Sequence, residues 1–169
     1  TGAGSTLRLS AGTDIAFSPG SIVRAGVNIT WSNGVPAYTI IGTDCDVVID
    51  SPNELLLSGL IVTSGGLSVS AGDNTRSHLS EFSAIFAAKP THYMASHDRY
   101  SILQTGTIAV LGAAEELVLT ASDDVVLLGN ISLSDAASDL TVQSDTFVFI
   151  EGRLQVPDRL QVFGGIELD

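Results

Sequence analysis

Apolar and polar positions alternate along this chain in short lines that recur. Leu117-Val118-Leu119-Thr120-Ala121 is answered by Leu140-Thr141-Val142-Gln143-Ser144, and Leu160-Gln161-Val162 begins the line a third time. A glycine stands twelve positions after each of the first two starts, Gly129 and Gly152, and a further alternating line follows each of them. In the first half, lines start at Leu7, Val27, Val47 and Leu67 at one constant spacing, and Gly59 lies twelve after Val47. Gly106 lies twelve after Met94, which places another start there. A period of roughly 20 residues carrying short alternating strands marks units that bury their apolar faces only by stacking on one another.

Strand side chains point to opposite faces with period two, so alternation assigns directions. The first strand of each unit would send Leu7, Leu9 and Ala11 inward, then Val27, Ile29 and Trp31, Leu67, Val69 and Ala71, Leu117, Leu119 and Ala121, and Leu140, Val142 and Ser144. A second strand begins eight positions in, with Leu55 and Leu57, Val125 and Leu127, and Val148 and Ile150 inward. A third carries Ile108 and Val110, Ile131 and Leu133, and Leu154 and Val156. Glycines and aspartates gather between the strands, where turns need them. The expected fold is all-β: a single parallel β-helix (β-solenoid) over residues 1–169, of about eight turns, roughly 20 residues and three short strands per turn. An antiparallel sandwich of short strands also suits Gly-rich turns, but it gives no reason for a fixed period.

The pattern breaks once, in an irregular insertion around 80–100. The run from Lys89 to Tyr100 shows no strand alternation and holds two of the three histidines and two of the three tyrosines. Additional residues in a stacked fold leave at a corner as a loop, so His92, Tyr93, His97, Asp98, Arg99 and Tyr100 form the expected ligand-contact loop.

Charge narrows the partners. Seven Lys and Arg stand against 19 Asp and Glu, a net charge of −12. That sign repels phosphate backbones and anionic lipid and argues against nucleic-acid partners. No apolar run reaches the length of a membrane-spanning helix, so no membrane insertion is expected. Cys45 is the single cysteine, which excludes an internal disulfide or a cysteine metal cluster. The chain opens Thr1-Gly2-Ala3 without a starting Met or signal peptide, and is expected to be processed or part of something longer.

Candidate chemistry is sparse. His92, His97 and Asp98, with His78 nearby, lack the fixed spacing of a helical metal pair. Asp123-Asp124 matches the paired carboxylates that cleave polysaccharides, yet Asp124 shares its corner offset with Asp14 and Glu54, so turn chemistry accounts for it. No dense Asp/Gly calcium repeat is present. Carboxylates on both sides of Cys45 disfavour its thiolate. Trp31 falls at an inward offset and reads as core. No cofactor and no enzymatic activity are expected.

The lines Leu117 to Ala121 with Val125 to Ile131, and Leu140 to Ser144 with Phe147 to Leu154, resemble the repeats of filamentous-haemagglutinin-type exoproteins. That resemblance implies a right-handed parallel β-helix, an extracellular or bacterial cell-surface location, and work as an adhesin or fibre. The Asn-Pro-Asn motif of that family's secretion domain does not occur here. The function expected is a non-enzymatic structural or adhesive segment of a surface fibre, or a subunit that associates end to end through open sheet edges. The alternative is a carbohydrate-binding or polysaccharide-cleaving coil whose site is the 89–100 loop, in contact with a glycan or cell surface.

Overall fold

The structure is a computed structural model that describes residues 4–72 and 101–168, with side chains up to Gly165. The expected contact loop, His92 to Tyr100, lies outside the described residues, as do His78 and Met94. Every regular element among the described residues is a strand. Strands are numbered in chain order.

The alternating lines form a ladder of parallel neighbours. It runs through β1 (Thr6–Ser10), β6 (Asp46–Ser51), β9 (Leu67–Ala71), β12 (Glu116–Ala121), the start of β15 (Asp139–Ile150) and the start of β17 (Leu160–Leu168). Register is like upon like. Leu117 stands between Leu67 and Leu140, and Leu140 between Leu117 and Leu160. Leu119 likewise stands between Val69 and Val142.

A second ladder joins β2 (Ile15–Phe17), β7 (Leu55–Leu57), β10 (Ile102–Gln104) and β13 (Val125–Leu127) to the far half of β15. A third stacks β3 (Ile22–Ala25), β8 (Leu60–Thr63), β11 (Thr107–Val110), β14 (Asn130–Leu133) and β16 (Arg153–Gln155). All of these pairings are parallel. Because β15 runs without a break through its corner, the first two ladders make one ten-stranded sheet. With the five-stranded third ladder the sheets nearly close on themselves, like a barrel.

The three ladders share one interior. Val47, Leu67, Leu117 and Leu140 from the first, Leu55, Ile102, Val125 and Val148 from the second, and Ile61, Ile108 and Ile131 from the third form a single buried cluster. Each such side chain contributes about 1.5–3 kcal/mol on leaving water. Outward positions of the first ladder are largely polar, and Ser70 Oγ donates to Asp50 Oδ1 at 2.6 Å. The second ladder departs from simple alternation: its outward residues Leu56, Leu103, Val126 and Phe149 are buried too, in a separate cluster.

Two expectations are corrected. The line at Val27 belongs to no ladder: β4 (Val27–Ser32) pairs antiparallel with β5 (Val35–Ile40), and Leu7 pairs directly with Val47. The chain thus makes a second excursion besides the one expected around 80–100. Leu67 similarly pairs with Leu117. Among the described residues the first ladder therefore holds six strands where eight starts were expected. Trp31 is not core; it is 55% exposed. The cause is the turn Asn33-Gly34, with φ of 52° and 79°. Two successive left-handed residues match the twist of a tight antiparallel hairpin and send the chain back on itself.

The glycines at offset twelve form one column at the corner between the second and third ladders. A Cβ on Gly106 would lie 2.0 Å from Gly59 O, one on Gly129 2.1 Å from Gly106 O, and one on Gly152 2.2 Å from Gly129 O. Each of these carbonyls accepts from the level above, as Asn130 N–H does to Gly106 O at 3.0 Å. The levels thus approach too closely at this corner for any side chain. Gln104, fully buried, braces it from inside: its Nε2 donates to Gly106 O at 2.6 Å and its Oε1 accepts from Gly129 N–H at 3.1 Å.

Gly106→Ala and Gly129→Ala are each expected to destabilise the protein by about 1–3 kcal/mol, the cost of overpacking a close contact. That lowers Tm by roughly 2–10 °C for a chain of this size. Gly12→Ala, whose Cβ would meet nothing within 4 Å, should leave Tm unchanged. Thermal unfolding followed by circular dichroism distinguishes them.

Candidate functional site

The side chains with chemistry to offer fall at the corners, because ladder positions are consumed by stacking. At the corner between the first and second ladders, Asp124 is 5% exposed and Glu54 1%. Thr146 Oγ1 donates to Asp124 Oδ1 at 2.6 Å, and Ser144 Oγ donates to Asp123 O at 2.8 Å. Asp124 is therefore held inside the wall as a corner brace, as its offset predicts.

The corner between the third and first ladders is the acidic one. Asp46 Oδ1 accepts from Gly66 N–H at 2.9 Å. Asp135 Oδ1 accepts from the backbone N–H groups of Ala114 and Ala137, both at 3.0 Å. Those two bonds, that from Ala137 first, hold the Asp135 carboxyl below its ordinary pKa. Glu115 shifts the other way: burial raises it first, and the charges of Asp46 and then Asp44 raise it further. Among the described residues no three His, Cys, Asp or Glu side chains converge as metal ligands would. The Asp46 and Asp135 carboxylates act as turn caps.

The hairpin builds a different kind of site. Gly26, with φ of 65°, turns the chain out of the third corner, and Ile41 N–H returns to Gly26 O at 2.8 Å. Val27, Ile29 and Tyr38 pack on the outward residues Leu60, Val62, Ala109 and Leu111 of the third ladder. The hairpin therefore lies flat across that ladder, and partial burial raises the pKa of the Tyr38 phenol. Alternation puts Trp31 on the same side of the hairpin as Ile29, one step nearer the tip. There it overhangs the glycine column.

Between the indole and that column is a groove of about 320 Å³. Its floor is Gly59, Gly106 and Thr107, and its sides are Gly20, Ser21, Ile22, Ser58 and Leu60. Ser58 Oγ and Thr105 Oγ1 share a hydrogen bond of 2.7 Å, and Ser21 Oγ donates to Ser18 O at 2.6 Å. Among the described residues no charged side chain lines the groove. The sequence reading missed this place because it put Trp31 inside. The signal that locates it is Asn33-Gly34 between two alternating runs, a two-residue hairpin signature.

Two outcomes follow for the acidic residues. Asp124→Ala is expected to lower stability by about 1–3 kcal/mol, the cost of leaving a buried partner unmade, read as a shift of the urea midpoint. Glu115 has a folded pKa raised above the ordinary 4.5. Its ionisation opposes folding; the penalty is absent below that value and complete once pH passes the raised one. Glu115→Gln should therefore raise Tm at pH 7, with the difference from the parent vanishing by pH 4.

No protein-family model matches the chain, and neither a curated protein nor a solved structure shows significant similarity to it. Function is accordingly read from this chain's own geometry.

Proposed function

We propose that the chain is a parallel β-helix that serves as a non-enzymatic structural or adhesive module of a surface-exposed, extracellular fibre. The observation that carries this reading is the in-register parallel stacking of like residues through successive levels, Leu67 on Leu117 on Leu140 on Leu160. Such stacking commits almost every inward side chain to the wall's own cohesion. Asp124, a buried carboxylate, braces a corner, and Asp135, a half-buried one, caps a turn.

The end levels favour assembly along the stacking direction. At one end β1, β2 and β3 each have a single ladder neighbour, and Leu7 and Ile22 are 36% and 47% exposed. A groove of about 250 Å³ between Leu7 and Arg24 opens on the same level. At the other end Leu160 and Phe163 are 46% and 52% exposed. Backbone groups along such edges, with apolar side chains beside them, are templates for a further parallel level. In this reading that level comes from a neighbouring copy stacked end to end or from the continuation of a longer shaft.

The 169-residue chain is expected to associate with rising concentration, seen by light scattering, and to form rods of one width in electron microscopy. Leu7→Lys combined with Leu160→Lys should return it to monomer while leaving its circular dichroism intact. A parent protein that stays monomeric up to millimolar concentration, with both end strands protected from hydrogen exchange, would overturn the assembly.

A further inference from the structure

We infer that the groove beneath Trp31 is a binding site for a neutral sugar, taking one pyranose ring of an oligosaccharide between the indole and the glycine corner. This stands apart from the proposed fibre role, because the groove opens on the side of the stack and not at its ends.

Four observations converge on that ligand. First, Trp31 is 55% exposed although it projects from the packed side of the hairpin. The hairpin is anchored by Val27, Ile29 and Tyr38, so the indole is held in place without being covered. An indole so placed presents an apolar face together with an N–H donor, which suits the C–H face and the hydroxyl rim of a sugar ring. Second, the opposite wall is flat of necessity. Stacking forbids a side chain at Gly59 and Gly106, so one face of a sugar ring can approach the backbone closely. Third, hydroxyls line the groove, those of Ser21, Ser58 and Thr107. Ser21 Oγ already donates to Ser18 O, so it is left to accept from a sugar hydroxyl, whereas the Thr107 hydroxyl can donate or accept.

Charge is the fourth observation and decides the class. The chain carries a net −12, yet among the described residues no charged side chain lines the groove. An acidic sugar would find no cation in that lining and would enter against the field of the whole protein. A cationic ligand would find no carboxylate there. A volume of about 320 Å³ is at the lower end for small-molecule sites, room for one ring with the rest of the oligosaccharide outside. An open site of that size has little area to hold its ligand, so the affinity belongs in the millimolar to high micromolar range.

Trp31 is the only tryptophan, so its emission reports the groove alone. Cellohexaose, laminarihexaose and maltohexaose would be titrated into the full chain, with tri-galacturonate as the acidic arm. Saturable change in emission with at least one neutral oligosaccharide, together with at least twofold weaker acrylamide quenching, is the expected result. Thr107→Lys, which fills the groove and keeps the tryptophan, should abolish the change. Trp31→Ala should lose at least tenfold in affinity by calorimetry with Tm unaltered. No saturation with any neutral hexasaccharide at 50 mM would overturn the proposal. So would equal affinity for tri-galacturonate, or a response matched by glycerol at equal mass. Each of these results leaves end-to-end assembly to be judged separately by scattering.

Discussion

Everything in this fold depends on the close approach of successive levels at the corner between the second and third ladders. Parallel strands one above another lie about 4.8 Å apart, and at this corner the carbonyl below occupies the place where a Cβ above would go. Gly59, Gly106, Gly129 and Gly152 satisfy that demand one after another. The same carbonyls accept the N–H groups of Thr107, Asn130 and Arg153 at 3.0–3.1 Å, so close approach and backbone satisfaction are one requirement. Gln104 shows how tightly it binds: a buried amide is tolerated among aliphatic neighbours because both its ends bond the column.

Fixing the corner fixes the register, and register lets excursions leave without disturbing the wall. Between Leu7 and Val47 the chain makes a whole hairpin, yet their strands pair in register, Thr6 to Asp46 through Ser10 to Asp50. The same holds for Leu67 and Leu117, which pair directly although residues 68–116 separate them in sequence. Ring closure of additional chain costs only slowly more as it lengthens, whereas a one-residue slip would turn every inward side chain outward. Corners are therefore where variation is cheap.

The part of the fold governed by stacking was legible in the sequence. Lines at Leu117, Leu140 and Leu160 lie directly over one another, and the offset-twelve glycines share a column, because both effects act on local alternation and a fixed spacing. The line at Val27 misled for a physical reason. A hairpin strand alternates as a stacked strand does, and this excursion adds as much chain between Leu7 and Val47 as one ordinary level would. Period alone could not separate them. The chemical signal was Asn33-Gly34, which supplies two left-handed residues in succession, the mark of a tight hairpin. The groove was missed as a consequence, since its key residue is Trp31. The run from His92 to Tyr100, expected as a contact loop because the pattern breaks there, lies outside the described residues.

An array that spends its interior on cohesion can acquire specificity only from what is laid upon it. The hairpin meets that need economically: Val27 is 2% exposed and covers Val62 and Ala109, so its base shares the stability of the wall. Its tip adds a large aromatic surface next to the glycine column. The flat floor beneath the indole was not made for a ligand; it follows from the stacking distance that already forbids side chains there. A rigid floor and an anchored lip set the separation between them before anything binds, which lowers the ordering cost of binding. The constraint that makes the chain a stack thus also shapes the place on its flank best suited to recognition.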